Sequence, residues 1–576
     1  MFQPFLNPIG FGASDYLELL IVAPALLLIL FRGRVAKLAG WLAARPALGL
    51  LGLGVLPVAL RVALLAHHPV PTPDLYDEFT HLLVADTLRH LRLANPVHPF
   101  HAFFETFFVL QEPSYSAIYP IGQGATLAVG WMLFGTPWAG VLVCVGALCA
   151  LCYWMLRAWV SPEWALLGGL ISVTLFGPLS YWTNTYWGGA ASAAAGCAVF
   201  GALPRLAERG RARDALWLGL GLGAQLLIRP FESIFLLAAV AGYSLVRPVR
   251  IKLLLAAAIV ALPAVGAMAL QNRAVTGKWL TLPLVESQRQ YGVPTTFVFQ
   301  ANPSPERTLT PQQQMAYRQQ ASFHGDAAET VQSYVSRLEH RARSFRFFLP
   351  AACYLALPFF LMRLRERRFA WAAGATVLFW CGSNFYPFFF PHYVAATAGL
   401  AVLMGVAGLE RLSRVSSSAA AVVGWLAIAP FCLWYGVHLF EDPEAPLPVL
   451  RFEVGDVLNH GNPERRIEIG RRMAEQSGRQ LVFVRYSDRH RFQDEWVYNA
   501  ADIDSARIVW ARDLGAVENE RLRSYYKDRK AWLLEPDSAP PRLSEYAVEP
   551  VSVPVAPVKT PDDPARKPVL RFEEVR

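Results

Sequence analysis

Charged side chains are scarce in this chain, and their scarcity indicates its class. Asp, Glu, Lys and Arg make up 17% of the 576 residues, against 54% hydrophobic residues and a mean hydropathy of +0.30. A soluble domain usually carries about a quarter charged residues, so the composition indicates a polytopic membrane protein. The net charge of +9 does not predict nucleic-acid binding, because the basic residues form short clusters between apolar runs, as they do in cytoplasmic loops.

Cysteine and nucleotide-binding glycine motifs are also scarce. All seven cysteines lie inside apolar runs, where a thiol behaves as a small hydrophobic group. Cys149 and Cys152 have no second pair to complete four zinc ligands, so neither a zinc site nor a disulfide framework is expected. No P-loop or dinucleotide-binding glycine pattern opens a strand–helix unit. We therefore expect no cofactor.

Long apolar runs fill most of the first 440 residues. A membrane-spanning helix needs about 20 mostly apolar residues. Twelve runs are candidates: 16–31, 47–66, 139–157, 164–181, 188–204, 213–228, 231–247, 252–271, 347–363, 369–384, 393–409 and 418–440. A shorter, glycine-rich run at 121–135 is expected to dip into the membrane or lie at its surface. The sequence thus predicts a polytopic α-helical membrane protein with about twelve spanning helices.

Basic clusters predict the orientation, since cytoplasmic loops carry an excess of Lys and Arg. These clusters occur at 32–37, 205–213, 247–252, 363–368 and 411–414. They fall on one side of the membrane only if 121–135 does not cross it. The first outer loop (67–138), the long outer loop (272–346) and the tail from 441 are then expected on the opposite side, which in a bacterial inner membrane is the periplasm.

The domain organisation follows from these runs and from a change in composition near residue 441. The expected regions are 1–46, an additional N-terminal spanning helix and cytoplasmic loop; 47–440, the main transmembrane domain; 441–545, a small soluble α/β domain; and 546–576, an extended or disordered tail. Within the α/β domain, strands are predicted at 480–486, 506–511 and 530–534, and helices at 464–475 and 518–527.

The first outer loop begins with three carboxylates within five residues, Asp74, Asp77 and Glu78. Asp77 is the candidate general base, and Glu78 is expected to be its structural or acceptor-binding neighbour, because adjacent residues diverge on a helix by more than a quarter turn. The alternative is that these are ordinary solvated loop residues. Amphipathic helices on the membrane surface are predicted at 77–93 and 100–110.

Further polar residues at predicted outer positions are candidates for substrate binding. They are Glu105, Tyr119 and Gln123 in the first outer loop, Asn184 in the second, Arg229 at the outer end of a helix, and His392 with Tyr393 at the mouth of another. A cation at membrane depth costs about 2.5–3.5 kcal/mol on insertion scales, so Arg229 is expected to have a function. Its alternative interpretation is an ion pair with Glu232.

These features resemble the GT-C superfamily of integral-membrane glycosyltransferases, in particular the protein O-mannosyltransferase and aminoarabinose-transferase-like group. The resemblance covers roughly 47–440. It rests on Tyr-Asp-Glu-Phe at 76–79 after an early helix, a first loop ending in Tyr-Pro-Ile-Gly-Gln-Gly at 119–124, Arg-Pro at 229–230, and Pro-His-Tyr at 391–393.

The resemblance implies an inverting transfer of a hexosyl or pentosyl group from a polyprenyl-phosphate or polyprenyl-diphosphate sugar. It makes Asp77 the base and places Arg229 and His392 near the lipid phosphate. Members similar to oligosaccharyltransferases carry an acidic metal-binding motif in the second outer loop, but 181–189 has no Asp or Glu, so a metal is not expected. A cation that often precedes the proline near 120 is also missing here.

Two other classes of function remain open from the sequence. One is a transporter or flippase for a lipid-linked glycan, although such proteins tend to carry internal repeats and none is evident. The other is a non-catalytic assembly protein of the cell envelope. Asp77, Arg229 and His392 gathered on the outer side would favour the enzyme, and their scattering would favour either alternative. The acceptor, whether glycan, lipid or protein, is left open.

Overall fold

Helices dominate the chain up to residue 440, and a small sheet follows. This computed structural model describes residues 32–325, 329–440 and 463–547, with a few positions between 18 and 27. The expectations for most of 16–31, for 441–462 and for the tail from 548 lie outside the described residues.

The elements of the first half are helices except for one hairpin. The helices are α1 (Arg32–Ala43), α2 (Pro46–Ala63), α3 (Tyr76–Arg89), α4 (Ile121–Phe134), α5 (Pro137–Leu156), α6 (Pro162–Phe176), α7 (Tyr181–Asn184), α8 (Ala190–Arg209), α9 (Ala212–Ile228), α10 (Glu232–Val246) and α11 (Ile251–Thr276). The hairpin, between α3 and α4, pairs β1 (Val109–Leu110) with β2 (Ser116–Ala117) in antiparallel fashion.

The second half continues with shorter helices and ends in the sheet. The helices are α12 (Pro283–Tyr291), α13 (Pro311–His324), α14 (Val331–Ala342), α15 (Leu357–Leu361), α16 (Arg367–Ser383), α17 (Ala398–Ser413), α18 (Ser417–Leu426), α19 (Ala429–Phe440), α20 (Glu464–Glu475) and α21 (Ala516–Tyr525). The strands are β3 (Arg479–Val484), β4 (Ile508–Arg512), β5 (Arg529–Glu535) and β6 (Arg542–Glu545).

The chain is an integral membrane protein, as the apolar runs predict. Within the described residues, six helical stretches are long and apolar enough to cross a membrane, or seven if the bent pair Val331–Phe347 and Ala351–Arg365 is one span. The six are Pro46–Ala66, Pro137–Leu156, Ala190–Arg209, Ile251–Thr276, Pro391–Ser413 and Ser417–Phe440.

Several of the twelve predicted spans form shorter or broken helices, and proline explains where they end. Helix α6 stops at Phe176, just before Gly177 and Pro178, and α10 begins only after Pro230. Proline has no amide hydrogen and its ring clashes with the preceding turn of a helix. Helix α4 has 14 residues, so it is only about 21 Å long and shorter than a membrane core of about 30 Å.

The centre of the bundle is α8, an alanine-rich helix that is almost entirely buried. Small residues allow the neighbouring backbones to approach closely, which is how helices associate within a membrane. At Gly196 a Cβ atom would lie 1.9 Å from the carbonyl oxygen of Ala396. This close contact sets the segment 391–397 directly against α8.

The tail domain is α/β, as predicted. Its strand order is β4-β3-β5-β6, with β3 parallel to both β4 and β5, and β6 antiparallel to β5. The three predicted strands and both predicted helices are present, and each end lies within two residues of its predicted position. The edge strand β6 was not predicted.

The amphipathic helix predicted at 100–110 is wrong. That segment instead forms a short 3-10 helix, His101–Phe104, followed by β1. Four of its five phenylalanines are buried, and Phe103 and Phe104 join an apolar cluster with Leu481 and Phe483 of the tail domain. The pattern predicts one apolar face against lipid, whereas the tail domain covers part of the segment.

The tail domain packs on the first and the long outer loops. The backbone amide of Ala501 donates to Asp86 Oδ2 of α3 at 2.8 Å, and Arg512 Nη2 donates to Gln312 Oε1 of α13 at 2.5 Å. The tail domain therefore contacts the first outer loop through α3 and the long outer loop through α13.

Candidate active site

Helix α3 carries the acidic pair of the first outer loop, and Glu78 fixes its N-terminus. Glu78 Oε2 accepts from the backbone amides of Asp74 (2.9 Å) and Leu75 (3.1 Å), while Oε1 accepts from the amide of Tyr186 (2.9 Å). Burial raises the pKa of Glu78 to about 7. Both of its oxygens are used by the protein, so Glu78 joins the first and second outer loops rather than facing a substrate.

Asp77 lies in the first turn of α3 and is half-buried. The phenolic hydroxyl of Tyr119 donates a hydrogen bond to Asp77 Oδ1. Burial raises the pKa of Asp77 to about 6, while the Tyr119 hydroxyl and the charge of Arg229 hold it from rising further. A carboxyl group with this pKa is ionised at neutral pH yet basic enough to accept a proton.

The positive charge of Arg229 acts on this carboxylate and lowers its pKa. Helix α9 ends just before it because Pro230 follows, which leaves the guanidinium at the helix terminus. Arg229 Nη1 lies 3.4 Å from Glu232 Oε1, and its guanidinium carbon lies 4.7 Å from the centre of the Tyr393 ring. The alternative prediction of an ion pair with Glu232 is confirmed, but 22% of the Arg229 side chain stays exposed.

The segment Pro391–Thr397 brings Tyr393 to Arg229 and sets His392 among aromatic rings. The imidazole of His392 stacks on Phe390, lies edge-on to Trp187, and has Nδ1 3.4 Å from Tyr181 Oη. His392 is thus enclosed by aromatic rings, whereas Tyr393 is half-buried. The structure brings Asp77, Tyr119, Arg229 and Tyr393 together. His392 lies next to Tyr393.

Gln123 and Asn184 are tied into the second outer loop. Gln123 Nε2 donates to the carbonyl oxygen of Tyr186 at 3.1 Å. Asn184 Oδ1 accepts from Arg61 Nε at 2.7 Å, and its Nδ2 donates to the carbonyl oxygens of Pro178 and Ser180, both at 2.9 Å. Both side chains are buried, and these bonds hold the loop that also receives Glu78.

Glu105 links the first outer loop to the long outer loop. Its carboxylate lies 3.1 Å from Arg307 Nη2 and accepts from Gln313 Nε2 at 3.1 Å. These contacts are with segments other than those around Asp77. Among the described residues, no group of three or more His, Cys, Asp or Glu is placed to hold a metal ion.

Sequence reasoning missed two residues beside Asp77. His81 lies four residues after it on α3, and its ring stacks on Tyr119 with centroids 4.4 Å apart. Tyr498 comes from the tail domain and stacks on Phe79 at 4.5 Å, with planes 3° apart. The spacing of four residues could have identified His81, but no local signal connects Tyr498 to residues 400 positions earlier.

Arg466 of the tail domain completes this contact. Its guanidinium carbon lies 4.6 Å from the centre of the Phe79 ring and 4.7 Å from that of Trp496. It also contributes to the electrostatic environment of Asp74 at the start of the loop. The tail domain therefore forms one wall of the region around α3, next to the candidate base.

No family model matches the chain, and no curated protein matches it. Among solved structures it is similar to ArnT from Cupriavidus metallidurans bound to undecaprenyl phosphate, with 12% identity, 86% of this chain and 93% of that chain covered, and a TM-score of 0.49. It is also similar to the archaeal oligosaccharyltransferase AglB from Archaeoglobus fulgidus in complex with an inhibitory peptide and a dolichol-phosphate, with 10% identity, 85% and 69% covered, and a TM-score of 0.40.

Proposed function

We propose that this protein is a membrane glycosyltransferase. It moves a hexosyl or pentosyl group from a polyprenyl-phosphate-linked donor to an acceptor on the periplasmic face of a bacterial inner membrane, with inversion at the anomeric carbon. The observation that carries the proposal is the grouping of one half-buried carboxylate, Asp77, with one partly exposed cation, Arg229, at the outer ends of apolar helices.

Asp77 suits the role of general base. An acceptor hydroxyl must lose its proton as it attacks the anomeric carbon, and a carboxylate in hydrogen-bond reach accelerates such a step by roughly 10²–10⁴. Asp77 has the raised pKa and the access that this requires, whereas both oxygens of Glu78 are occupied by backbone amides. Tyr119 fixes the orientation of the Asp77 carboxylate through its hydrogen bond.

Arg229 suits the leaving phosphate. As the sugar–phosphate bond breaks, negative charge grows on the phosphate oxygen, and a fixed guanidinium stabilises it strongly in a region that excludes water. The ion pair with Glu232 is 3.4 Å long, and the Tyr393 ring covers one face of the guanidinium. The remaining N–H groups of Arg229 are left to bind a phosphate oxygen.

The reaction balances as a single displacement. The acceptor oxygen forms a bond to the anomeric carbon, the bond from that carbon to the phosphate oxygen breaks, and its electron pair stays on the polyprenyl phosphate. The acceptor proton passes to Asp77 and afterwards to water. Attack opposite to the leaving group inverts the anomeric centre.

A transporter of lipid-linked glycans would be expected to carry internal repeats, and none is evident in the sequence. An assembly protein needs no carboxylate and cation grouped at one site. The grouping of Asp77, Arg229 and Tyr393 on the side that also bears the tail domain therefore supports the enzyme.

The test compares two Asp→Asn variants. Wild type, Asp77→Asn and Asp488→Asn are incubated with a panel of undecaprenyl-phosphate hexoses and pentoses, with cell-envelope extract as the acceptor. Release of undecaprenyl phosphate is measured. Asp488 is exposed in the tail domain and serves as the matched control.

We expect Asp77→Asn to lower the rate by at least about 10², with normal membrane insertion, and Asp488→Asn to behave as wild type. Transfer by Asp77→Asn at the wild-type rate would remove the base assignment. No release by the wild-type protein from any donor would remove the function.

A further inference from the structure

His81 is a buried group that the proposed reaction does not yet use. Only 9% of its surface is exposed, and its Nδ1 atom is buried without a hydrogen-bond partner among the described residues. Leaving a polar atom buried and unpaired is costly. Such an atom next to a candidate active site indicates that a ligand completes it.

The position of His81 on α3 places it beside Asp77. Residues four apart on a helix lie on the same face, one turn from each other. Tyr119 connects the two side chains, because its hydroxyl donates to Asp77 while its ring stacks on the imidazole at 4.4 Å. One face of the His81 ring is therefore covered by Tyr119.

The charge of Arg229 reaches His81 as well as Asp77. Together with burial it lowers the pKa of His81 to about 3, so the imidazole is neutral at neutral pH. A neutral imidazole has one N–H donor and one nitrogen acceptor. It does not attract phosphate as a cation would, and no metal-binding group includes it within the described residues. This pattern of one donor and one acceptor matches a sugar hydroxyl.

We propose that His81 binds a hydroxyl group of a sugar through Nδ1, one helical turn from Asp77, and so orients that sugar for transfer. The inference rests on the glycosyltransferase function proposed above. The hydroxyl belongs either to the sugar of the lipid-linked donor or to the acceptor, and the experiment separates these two sources.

The central variant is His81→Phe, which keeps a ring to stack on Tyr119 and removes both nitrogens. His81→Asn is the conservative variant, because its amide places a polar atom near the position of Nδ1. His90→Phe is the matched control, since His90 ends the same helix and is exposed. Thermal stability in detergent and binding of sugar-free undecaprenyl phosphate are measured for each.

Two kinetic measurements locate the hydroxyl. The first is slow transfer of the donor sugar to water, which needs no acceptor. The second is transfer to cell-envelope extract. We expect His81→Phe to raise one KM by roughly 10- to 100-fold, while undecaprenyl phosphate binds as in wild type. A change in both reactions assigns the hydroxyl to the donor, and a change in the second alone assigns it to the acceptor.

The remaining outcomes are decisive as well. His81→Asn should recover most of the lost activity, and His90→Phe should match wild type. Equal KM and kcat for His81→Phe and wild type would overturn the inference, as would equal losses for His81→Phe and His81→Asn. If His81→Phe does not insert, His81→Ala takes its place against His81→Asn. Should wild type itself use no donor, it is the proposed function that fails.

Discussion

Two arginines at the outer ends of membrane helices differ in how fully the protein satisfies them. Arg61 is 1% exposed, and it donates to Asn184 Oδ1 (2.7 Å) and to the carbonyl oxygens of His68 and Pro69 (both 3.0 Å). Arg229 has one carboxylate at 3.4 Å and a side chain that is 22% exposed. Arg61 links segments of the protein to one another, whereas Arg229 keeps hydrogen-bond donors available for a ligand.

The comparison teaches how to separate a structural buried charge from a functional one. Both residues are cations in apolar surroundings, where an unpaired charge is expensive. Every N–H-bearing nitrogen of Arg61 has a fixed acceptor, so a ligand would have to displace a protein contact. Arg229 can donate hydrogen bonds to a phosphate without giving up a protein contact of this kind. Substitution of Arg61 should therefore act mainly on stability, and substitution of Arg229 mainly on activity.

Arg229→Gln should give the largest change in activity. Removing a preorganised positive group from a developing anion costs about 10²–10³ in kcat, so we expect a loss of activity of that size. The thermal midpoint should fall as well, because the buried carboxylate of Glu232 loses its ion-pair partner. Steady-state kinetics and thermal unfolding in detergent measure the two effects. Arg273→Gln, an exposed arginine at the end of α11, is the control. A fall in stability without a loss of activity would reverse the roles assigned to Arg229 and Arg61.

Arg61→Gln should act on the fold. Leaving a buried acceptor without its donor costs about 1–3 kcal/mol, and here Asn184 and two carbonyl groups lose their donor. We expect low yield of folded protein and, in the fraction that folds, nearly normal KM. Arg45→Gln changes an exposed arginine before the same helix and should leave the yield unaltered.

The pH dependence should follow Asp77. A base must be deprotonated to act, and the pKa of Asp77 is raised to about 6. The rate constant kcat/KM should then be flat near neutral pH and fall about tenfold per unit below pH 6. A profile that stays flat to pH 4.5, with the protein still folded, would contradict the assignment of Asp77 as base.

Tyr119→Phe should give the smallest effect and test the electrostatic argument itself. The Tyr119 hydroxyl lowers the pKa of Asp77, so its removal should raise that pKa. The acidic limb of the pH profile would move to higher pH, and activity near pH 7 would fall only a few-fold. The ring remains to stack on His81. A shift of the limb to lower pH would show that the hydroxyl acts in the opposite sense.

Local patterns predicted much of this protein. Short apolar runs in the tail located β3, β4 and β5, and the 3.6-residue period located α3 and α20. These predictions succeed because the pattern of a strand or helix records which face it buries. The prediction at 100–110 was wrong because that segment is covered by a domain about 380 residues further along the chain.

The candidate site was predicted only in part. The sequence pointed to Asp77, Arg229 and the segment at 391–393, since charges are rare among apolar helices and therefore informative. It left open whether Glu78 is structural or binds the acceptor, and it counted Asn184 among the substrate-binding residues, because nothing local states which polar side chains will find partners inside the protein. Tyr498 was missed for the same reason, as its contact with Phe79 exists only when the tail domain is in place.

The amino-acid sequence by itself determined the membrane class, the faces of the helices and the identity of the few charges placed among them, since these depend on composition and period. The tertiary structure alone decided which of those polar groups are satisfied and which stay available. Whether a polar group is satisfied depends on donors and acceptors from distant segments. The amide of Tyr186 donates to Glu78, and the guanidinium of Arg61 donates to Asn184. Asp77 and Arg229 stay partly open because none of the segments that the structure describes covers them fully.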